Sequence, residues 1–355
     1  MSPKKISVGL VGCGVVAHRH AQALKKIRQA EIKAVADIDE RRARQFATEY
    51  NVASYYNSLS AMLENEDIMA VSILTNPQSH AELVIEAMNA GKHVLVEKPM
   101  CVTLKEAEDM VSASERNGVI LFPVEQVVFT PAVQRALKII ASGKTGAILS
   151  IYTYMSVVTL INQMTKNILP KWIYSLPGKI YGELIPHALY TTLALLGERV
   201  EKTYVSYLEE ERENLKVACP FKELRISLET KNRYATIVMT ARNISRHEVQ
   251  MLVIDCEREK IVIDLPVSTI LIRDYSLPRL SQFLQYPRSF FDIFFKNLSD
   301  LIALKMYSGV SWEVANEQFV KSIVTNTPPP ITGKDGLEWV RVTELIWREC
   351  LYNNP

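Results

Sequence analysis

Short apolar runs alternate with longer stretches of mixed polarity through the first third of the chain. Ile6–Val11, Glu31–Ala36, Ala70–Leu74, His93–Val96 and Val119–Phe122 read as strands. Residues 21–26, a segment starting near Glu40, Ser79–Ala90 and Leu104–Asn117 read as helices, the last two stopped by Gly91 and Gly118. Such alternation builds a parallel sheet with helices on both faces. After Pro123 the order changes. A helix over Ala132–Ala141 and a strand over Ala147–Tyr154 lead to a helix over Glu183–Leu196, closed by Gly197. Then come Lys202–Tyr207, Lys222–Leu228, Tyr234–Thr240, Val249–Asp255, Lys260–Asp264 and Thr269–Arg273, strands with no helix between them. Consecutive strands predict an antiparallel sheet, one face of which can meet solvent or a partner subunit. Helices over Trp312–Thr325 and Gly336–Leu351 flank a proline-rich segment, Thr327–Gly333. The predicted fold is α/β. A doubly wound parallel sheet spans residues 1–122, and an α+β domain with a large, mostly antiparallel open sheet spans residues 123–355.

Composition narrows the class without changing the fold. The chain has 355 residues, 48% of them hydrophobic, so it can bury enough apolar surface to order itself. It is longer than a single core comfortably grows, which agrees with two domains. Lys plus Arg total 41 against 39 Asp plus Glu, and a net charge of +2 carries no footprint for nucleic acid. The five cysteines (Cys13, Cys101, Cys219, Cys256 and Cys350) form no CxxC and no Cys/His cluster. They predict reduced thiols in a cytoplasmic protein, with neither a disulfide framework nor a metal site. Lys4-Lys5 before an apolar run loosely mimics a signal peptide, but Gly9, Gly12 and Gly14 interrupt the run and His18-Arg19-His20 follows, so none is expected. No stretch reaches the ~20 apolar residues of a membrane span.

The chemistry begins where the first strand ends. Gly12-Cys13-Gly14-Val15-Val16-Ala17 is a G-x-G-x-x-A turn between a strand and a helix. Gly12 permits the tight turn, Gly14 lets the backbone approach a pyrophosphate, and Ala17 keeps the helix close to the sheet. The helix N-terminus favours the phosphate charge. Asp37, followed by Ile38, ends the second strand 25 residues after Gly12. A carboxylate there accepts ribose hydroxyls and repels a 2′-phosphate, so NAD is expected over NADP. Arg41 and Arg42 stand nearby as groups that could instead accept that phosphate. Asp37 or Asp39 could alternatively cap the helix starting near Glu40. Ligands bind beyond the C-terminal ends of parallel strands, which brings in Thr75, Asn76, Pro77, Glu97, Lys98 and Pro99. His80 follows on the next helix, as support for the cofactor loop or as plain packing.

Several of these stretches resemble the family of glucose–fructose oxidoreductase, inositol dehydrogenase and MocA-type proteins. The similarity rests on Gly12–Ala17, Asn76-Pro77 with His80, Ala90-Gly91-Lys92-His93-Val94-Leu95-Val96-Glu97-Lys98-Pro99, Ser142–Gly146 and Gly182-Glu183-Leu184-Ile185-Pro186-His187, in the family's order. The resemblance implies a Rossmann domain that binds NAD(P), a substrate domain whose sheet builds homo-oligomers (dimers or tetramers), and hydride transfer on a sugar, cyclitol or related polyol. It implies Lys98 beside the reacting oxygen, where an ammonium stabilises alkoxide character. His187 is implied as the proton-transfer group, oriented by Glu183 one helical turn earlier. Family members usually carry Asp at the position of Glu183, and many carry an acidic residue at that of Tyr190. Trp172 and Tyr190 are candidate substrate contacts, and core packing is the alternative for each. Lys166 and Lys171 would suit a phosphate if the substrate were a nucleotide sugar.

The sequence thus predicts an NAD-dependent dehydrogenase acting on CH–OH groups. The rival readings are a nucleotide-sugar dehydrogenase of glycan biosynthesis and a cofactor-binding regulatory protein without turnover. Residues 276–308 are an unusually aromatic amphipathic stretch, expected against the sheet or an oligomer interface rather than on a membrane.

Overall fold

The structure is a computed structural model. It describes all residues except 1–4, 159–160, 162, 164–168, 213–215, 217–218, 243–248, 275–277, 279–280, 282, 285–286, 288–290, 292–306 and 353–355. Lys166, His247 and most of the aromatic segment 276–308 therefore lie outside the described residues. The strands are β1 (Ile6–Val11), β2 (Ala30–Ala36), β3 (Ser54–Tyr56), β4 (Ala70–Ile73), β5 (His93–Val96), β6 (Leu121–Pro123), β7 (Ile148–Ser156), β8 (Val200–Glu209), β9 (Phe221–Thr230), β10 (Tyr234–Thr240), β11 (Gln250–Cys256), β12 (Glu259–Asp264) and β13 (Thr269–Asp274). The helices are α1 (Val15–Lys26), α2 (Glu40–Tyr50), α3 (Leu59–Asn65), α4 (His80–Asn89), α5 (Leu104–Asn117), α6 (Pro131–Ala141), α7 (Ile180–Leu196), α8 (Tyr307–Thr325) and α9 (Gly333–Trp347). Contacts divide the chain into two compact units. One holds Met1–Gln126 with Ser308–Arg341, the other Val127–Tyr307 with Val342–Pro355. Residues 308–341 thus group by contact with the N-terminal strands rather than with the rest of the stretch 123–355.

The first unit is built on a six-stranded sheet of order β3-β2-β1-β4-β5-β6, every neighbouring pair parallel. The order reverses between β1 and β4, which puts the ligand-binding edge at their C-terminal ends. Every residue of β1 and β4 is buried. Burial on both faces is why they read as continuous apolar runs rather than as alternating ones. The capping box of Thr103 and Glu106 starts α5. Residue 333 rather than 336 starts α9, because Thr332 and Asp335 exchange bonds across its first turn: Asp335 accepts the Thr332 N–H (2.7 Å) and Thr332 accepts that of Asp335 (3.3 Å).

In the second unit seven strands form an open sheet of order β13-β12-β11-β7-β10-β9-β8. It is antiparallel except for β7 and β10, which run parallel. That exception has a topological cause: α7, β8 and β9 all intervene between β7 and β10, and so long a crossover lets the chain return in the same direction. Helix α7 covers one face, where Thr153 and Thr192 hydrogen-bond at 2.7 Å. It starts three residues before the predicted Glu183 and carries Pro186 inside it. The opposite face carries a row that crosses all seven strands: Leu271, Val262, Val253, Tyr152, Thr236, Ser227 and Tyr204.

Candidate active site

The β1–α1 turn is shaped by steric necessity. Gly12 has φ +90°, and a Cβ there would lie 2.8 Å from the Leu74 carbonyl oxygen. Any other residue would clash and strain the backbone. Gly14 is the N-cap of α1, and no side chain caps the helix there. A Cβ on Gly14 would meet nothing within 4 Å, so the turn is open on this side. An approachable helix N-terminus of this kind suits a phosphate.

Asp37 lies at the end of β2 with its carboxylate buried. Its Oδ2 accepts the Cys13 N–H at 2.8 Å and its Oδ1 accepts the Asp39 N–H at 2.9 Å. Asp39, not Asp37, caps α2 by accepting from Arg41 and Arg42. Asp37 is thereby fixed against the glycine turn, with acceptor capacity left on both oxygens. The Arg42 guanidinium stands 3.4 Å from Asp37 and 4.0 Å from Asp39, so its charge is partly answered by two carboxylates. Ile38, beside Asp37, is 96% exposed, an uncovered apolar side chain. Burial and then the Asp37 charge push the Cys13 thiol up to about 12, leaving it unreactive. The open turn, the anchored carboxylate and the exposed apolar neighbour together fit a dinucleotide.

After β4, Ser79 donates to the Thr75 hydroxyl (2.8 Å) and to the Asn76 carbonyl (3.0 Å), and Pro77 is buried. His80 is wholly buried. Its Nδ1 lies 2.9 Å from the Pro99 carbonyl and its Nε2 3.1 Å from that of Thr75. The side chain therefore braces the two loops that follow β4 and β5, and burial lowers its pKa.

Glu97 and Lys98 follow β5. The Glu97 carboxylate is buried and the Lys98 side chain half-buried. Oε2 of Glu97 accepts the Lys98 N–H at 3.0 Å; Oε1 stands 3.0 Å from His20 Nε2 and accepts the Trp312 indole N–H at 3.3 Å. Burial would raise the Glu97 pKa, but the His20 hydrogen bond and charge and the Lys98 ammonium outweigh it and hold the carboxyl low. Sequence reasoning places Glu97 near the cofactor and reads His20 as packing or a cofactor neighbour, but it does not point to Trp312 and Asn316 behind Glu97. The available signal was His20 itself: it shares the buried face of α1 with Ala17, Ala21 and Leu24, a polar residue in a core stripe.

In the second unit, Glu183 and His187 lie one turn apart on α7, both half-buried. The His187 carbonyl accepts the Gln250 side-chain amide at 3.2 Å. Tyr190 is 1% exposed, a core position. Trp172 is half-buried in a short 3-10 turn over Lys171–Ser175. Among the described residues, no group of three or more His, Cys, Asp or Glu could hold a metal ion, and no helix is long and apolar enough to cross a membrane.

Residues 6–125 match the oxidoreductase family with an NAD-binding Rossmann fold, GFO_IDH_MocA. D-apiose dehydrogenase of Paraburkholderia graminis is 35% identical over 143 residues, 40% of this chain and only 38% of that enzyme. Myo-inositol 2-dehydrogenase of Thermotoga maritima is 22% identical over 330 residues, 93% of this chain and 91% of that enzyme. Among solved structures, the WlbA dehydrogenase of Bordetella pertussis, in complex with NADH and UDP-GlcNAcA, superposes with a TM-score of 0.77 at 19% identity. That likeness covers 98% of this chain and 96% of WlbA and extends to both units of the fold. The family match thus covers the segment that holds the β3-β2-β1-β4-β5-β6 sheet, and over the rest of the chain the likeness to this solved structure is one of fold.

Proposed function

We propose that the protein is an NAD-dependent dehydrogenase that interconverts a secondary alcohol and a ketone on a sugar or cyclitol. The observation that carries this reading is topological. The Gly12–Ala17 turn, Asp37, Thr75–Pro77 and Glu97-Lys98 all follow the C-terminal ends of strands in one parallel sheet, around its switch point. The relatives named for inositol and apiose dehydrogenation support the substrate class.

When bound, the cofactor supplies a nicotinamide C4 that takes or gives hydride. The first-turn amides of α1 bind the pyrophosphate, and Asp37 accepts the ribose hydroxyls. NAD is favoured over NADP because a 2′-phosphate would meet the Asp37 charge, and the Arg42 charge is already shared between two carboxylates. Lys98 stabilises alkoxide character on the reacting oxygen with its ammonium. His187 exchanges the hydroxyl proton, and Glu183, on the same helix face, orients it. We also propose that the outer row of the second unit, with Tyr152 38% and Tyr204 54% exposed, is covered by a second copy of the chain.

The test is a panel of cyclitols (myo- and scyllo-inositol), free sugars including D-apiose, and UDP-sugars, assayed for NADH formation with purified protein. Turnover of a cyclitol or free sugar is expected. Turnover confined to UDP-sugars would move the assignment to nucleotide-sugar oxidation. NADH binding with no turnover across the panel would favour a regulatory role.

A further inference from the structure

Behind Lys98 lies a buried polar chain that the proposed chemistry does not use directly. His20 and Asn316 are wholly buried and Glu97 is 5% exposed. Their side chains come from α1, α8 and the end of β5, far apart in sequence. A carboxylate only accepts, so His20 Nε2 carries the hydrogen directed at Glu97 Oε1. The His20 Nδ1 faces the Asn316 side-chain amide, with Oδ1 3.3 Å and Nδ2 3.0 Å away. Asn316 Nδ2 also donates to the Trp312 carbonyl at 2.8 Å. The Trp312 indole N–H returns to the same Glu97 oxygen. Oε1 is thus held by two donors from two helices, which leaves Oε2 turned to the backbone N–H of Lys98. A buried carboxylate with every donor specified is costly to build and rigid once built. Core packing alone would be served as well by apolar residues.

We propose that His20, Trp312 and Asn316 are positioning residues, which through Glu97 lock the backbone at Lys98 so that its ammonium is pre-aimed at the reacting oxygen. His20 and Asn316 are wholly buried, out of reach of a substrate. The function assigned to Lys98 rests on the dehydrogenase reading; the way it is held does not. Loss of one charge-assisted hydrogen bond in this chain should loosen Lys98 by about tenfold or more.

The experiment compares full-length wild type with Glu97→Gln, His20→Ala, His20→Gln and Trp312→Phe. Amide hydrogen exchange resolved at Lys98 is measured with NADH bound, and kcat and KM are measured for myo-inositol oxidation with NAD. Glu97→Gln and His20→Ala should speed Lys98 exchange about tenfold or more and lower kcat by a similar factor. KM and NADH affinity should stay within about twofold, and other amides of β5 should be unaffected. His20→Gln, whose amide nitrogen can still reach Glu97, should restore most of the protection and the rate. Trp312→Phe, which keeps the ring but deletes the donor, should fall in between. Unchanged Lys98 exchange in Glu97→Gln and His20→Ala would overturn the proposal. So would faster exchange with an unchanged kcat, because Lys98 would then be held without consequence. Should wild type turn over no polyol, the dehydrogenase reading fails on its own, and the exchange measurement still decides whether this chain holds Lys98.

Discussion

At the scale of single residues, two side chains in the first unit carry most of the chemical assignment. Asp37 is tied to the glycine turn through Cys13 and holds Arg42. Asp37→Asn removes the charge that repels a 2′-phosphate and releases the arginine. NADH affinity should fall about tenfold while NADPH affinity rises, as read by fluorescence titration; unchanged selectivity would mean that Asp37 does not read the ribose. Lys98→Ala removes the ammonium from a half-buried position. Turnover should drop about 100- to 1,000-fold with NADH binding nearly intact, and a near wild-type rate would exclude Lys98 from the chemistry. The position of both residues just after strands of the parallel sheet was legible in the sequence, while the role proposed for Lys98 comes from the family resemblance. The chain behind Glu97 was not legible there. His20, Trp312 and Asn316 are brought together only by folding, across up to 296 residues, and no local spacing announces such a meeting. The competition between Asp37 and Asp39 for the cap of α2 was likewise beyond the sequence, since both are carboxylates at suitable offsets. Only the side-chain geometry separates them.

At the scale of elements, the two glycines of the β1–α1 turn should separate folding from binding. Gly12→Ala forces a Cβ against the Leu74 carbonyl at a positive φ and should cost about 1–3 kcal/mol of stability, read by denaturant unfolding. Gly14→Ala meets no neighbour and should leave stability unchanged while weakening NADH binding, because the added methyl occupies the face that the phosphate approaches. Equal stability losses in the two variants would contradict this division. Helix α4 contributes a pH dependence through His80. Burial lowers its pKa below the ordinary 6.5, so the unfolded chain binds a proton that the folded one refuses. Stability from this group is fully present above pH 6.5 and is lost as pH falls toward the folded pKa; His93 acts in the same direction. Urea unfolding between about pH 7.5 and about pH 5.5 should show the decline, with a shallower slope in His80→Gln. An unaltered slope would assign the effect elsewhere. The strands of both sheets were read within a few residues, since buried strands are continuous apolar runs and the rest alternate. Three-residue β3 was missed because it is too short to show a period. The parallel pairing of β7 with β10 was missed because pairing is a property of topology rather than of local pattern.

At the scale of the whole molecule, the open sheet of the second unit makes the remaining prediction. The row from Leu271 to Tyr204 places two exposed tyrosines and several aliphatic side chains on the face away from α7. If a second copy covers it, Tyr152→Asp should shift the protein toward monomer in sedimentation velocity, because burying an unpaired carboxylate in an interface is strongly unfavourable. An unshifted distribution would remove that face from any assembly. The sequence pattern predicts two domains, and it does not announce the grouping of residues 308–341 with the N-terminal strands. A helix that reads as amphipathic says which side is buried and not which core it joins.

The central claim is hydride transfer from a polyol carbon to NAD, and deuterium tests it most directly. Myo-inositol and the other responsive polyols, deuterated at their carbinol carbons, are incubated with protein and NAD, and the recovered NADH is analysed by mass. Label in the reduced nicotinamide, a slower rate than with the unlabelled polyol, and loss of both in Lys98→Ala are the expected results. Tightly bound NAD that stays oxidised with every polyol offered would contradict the account.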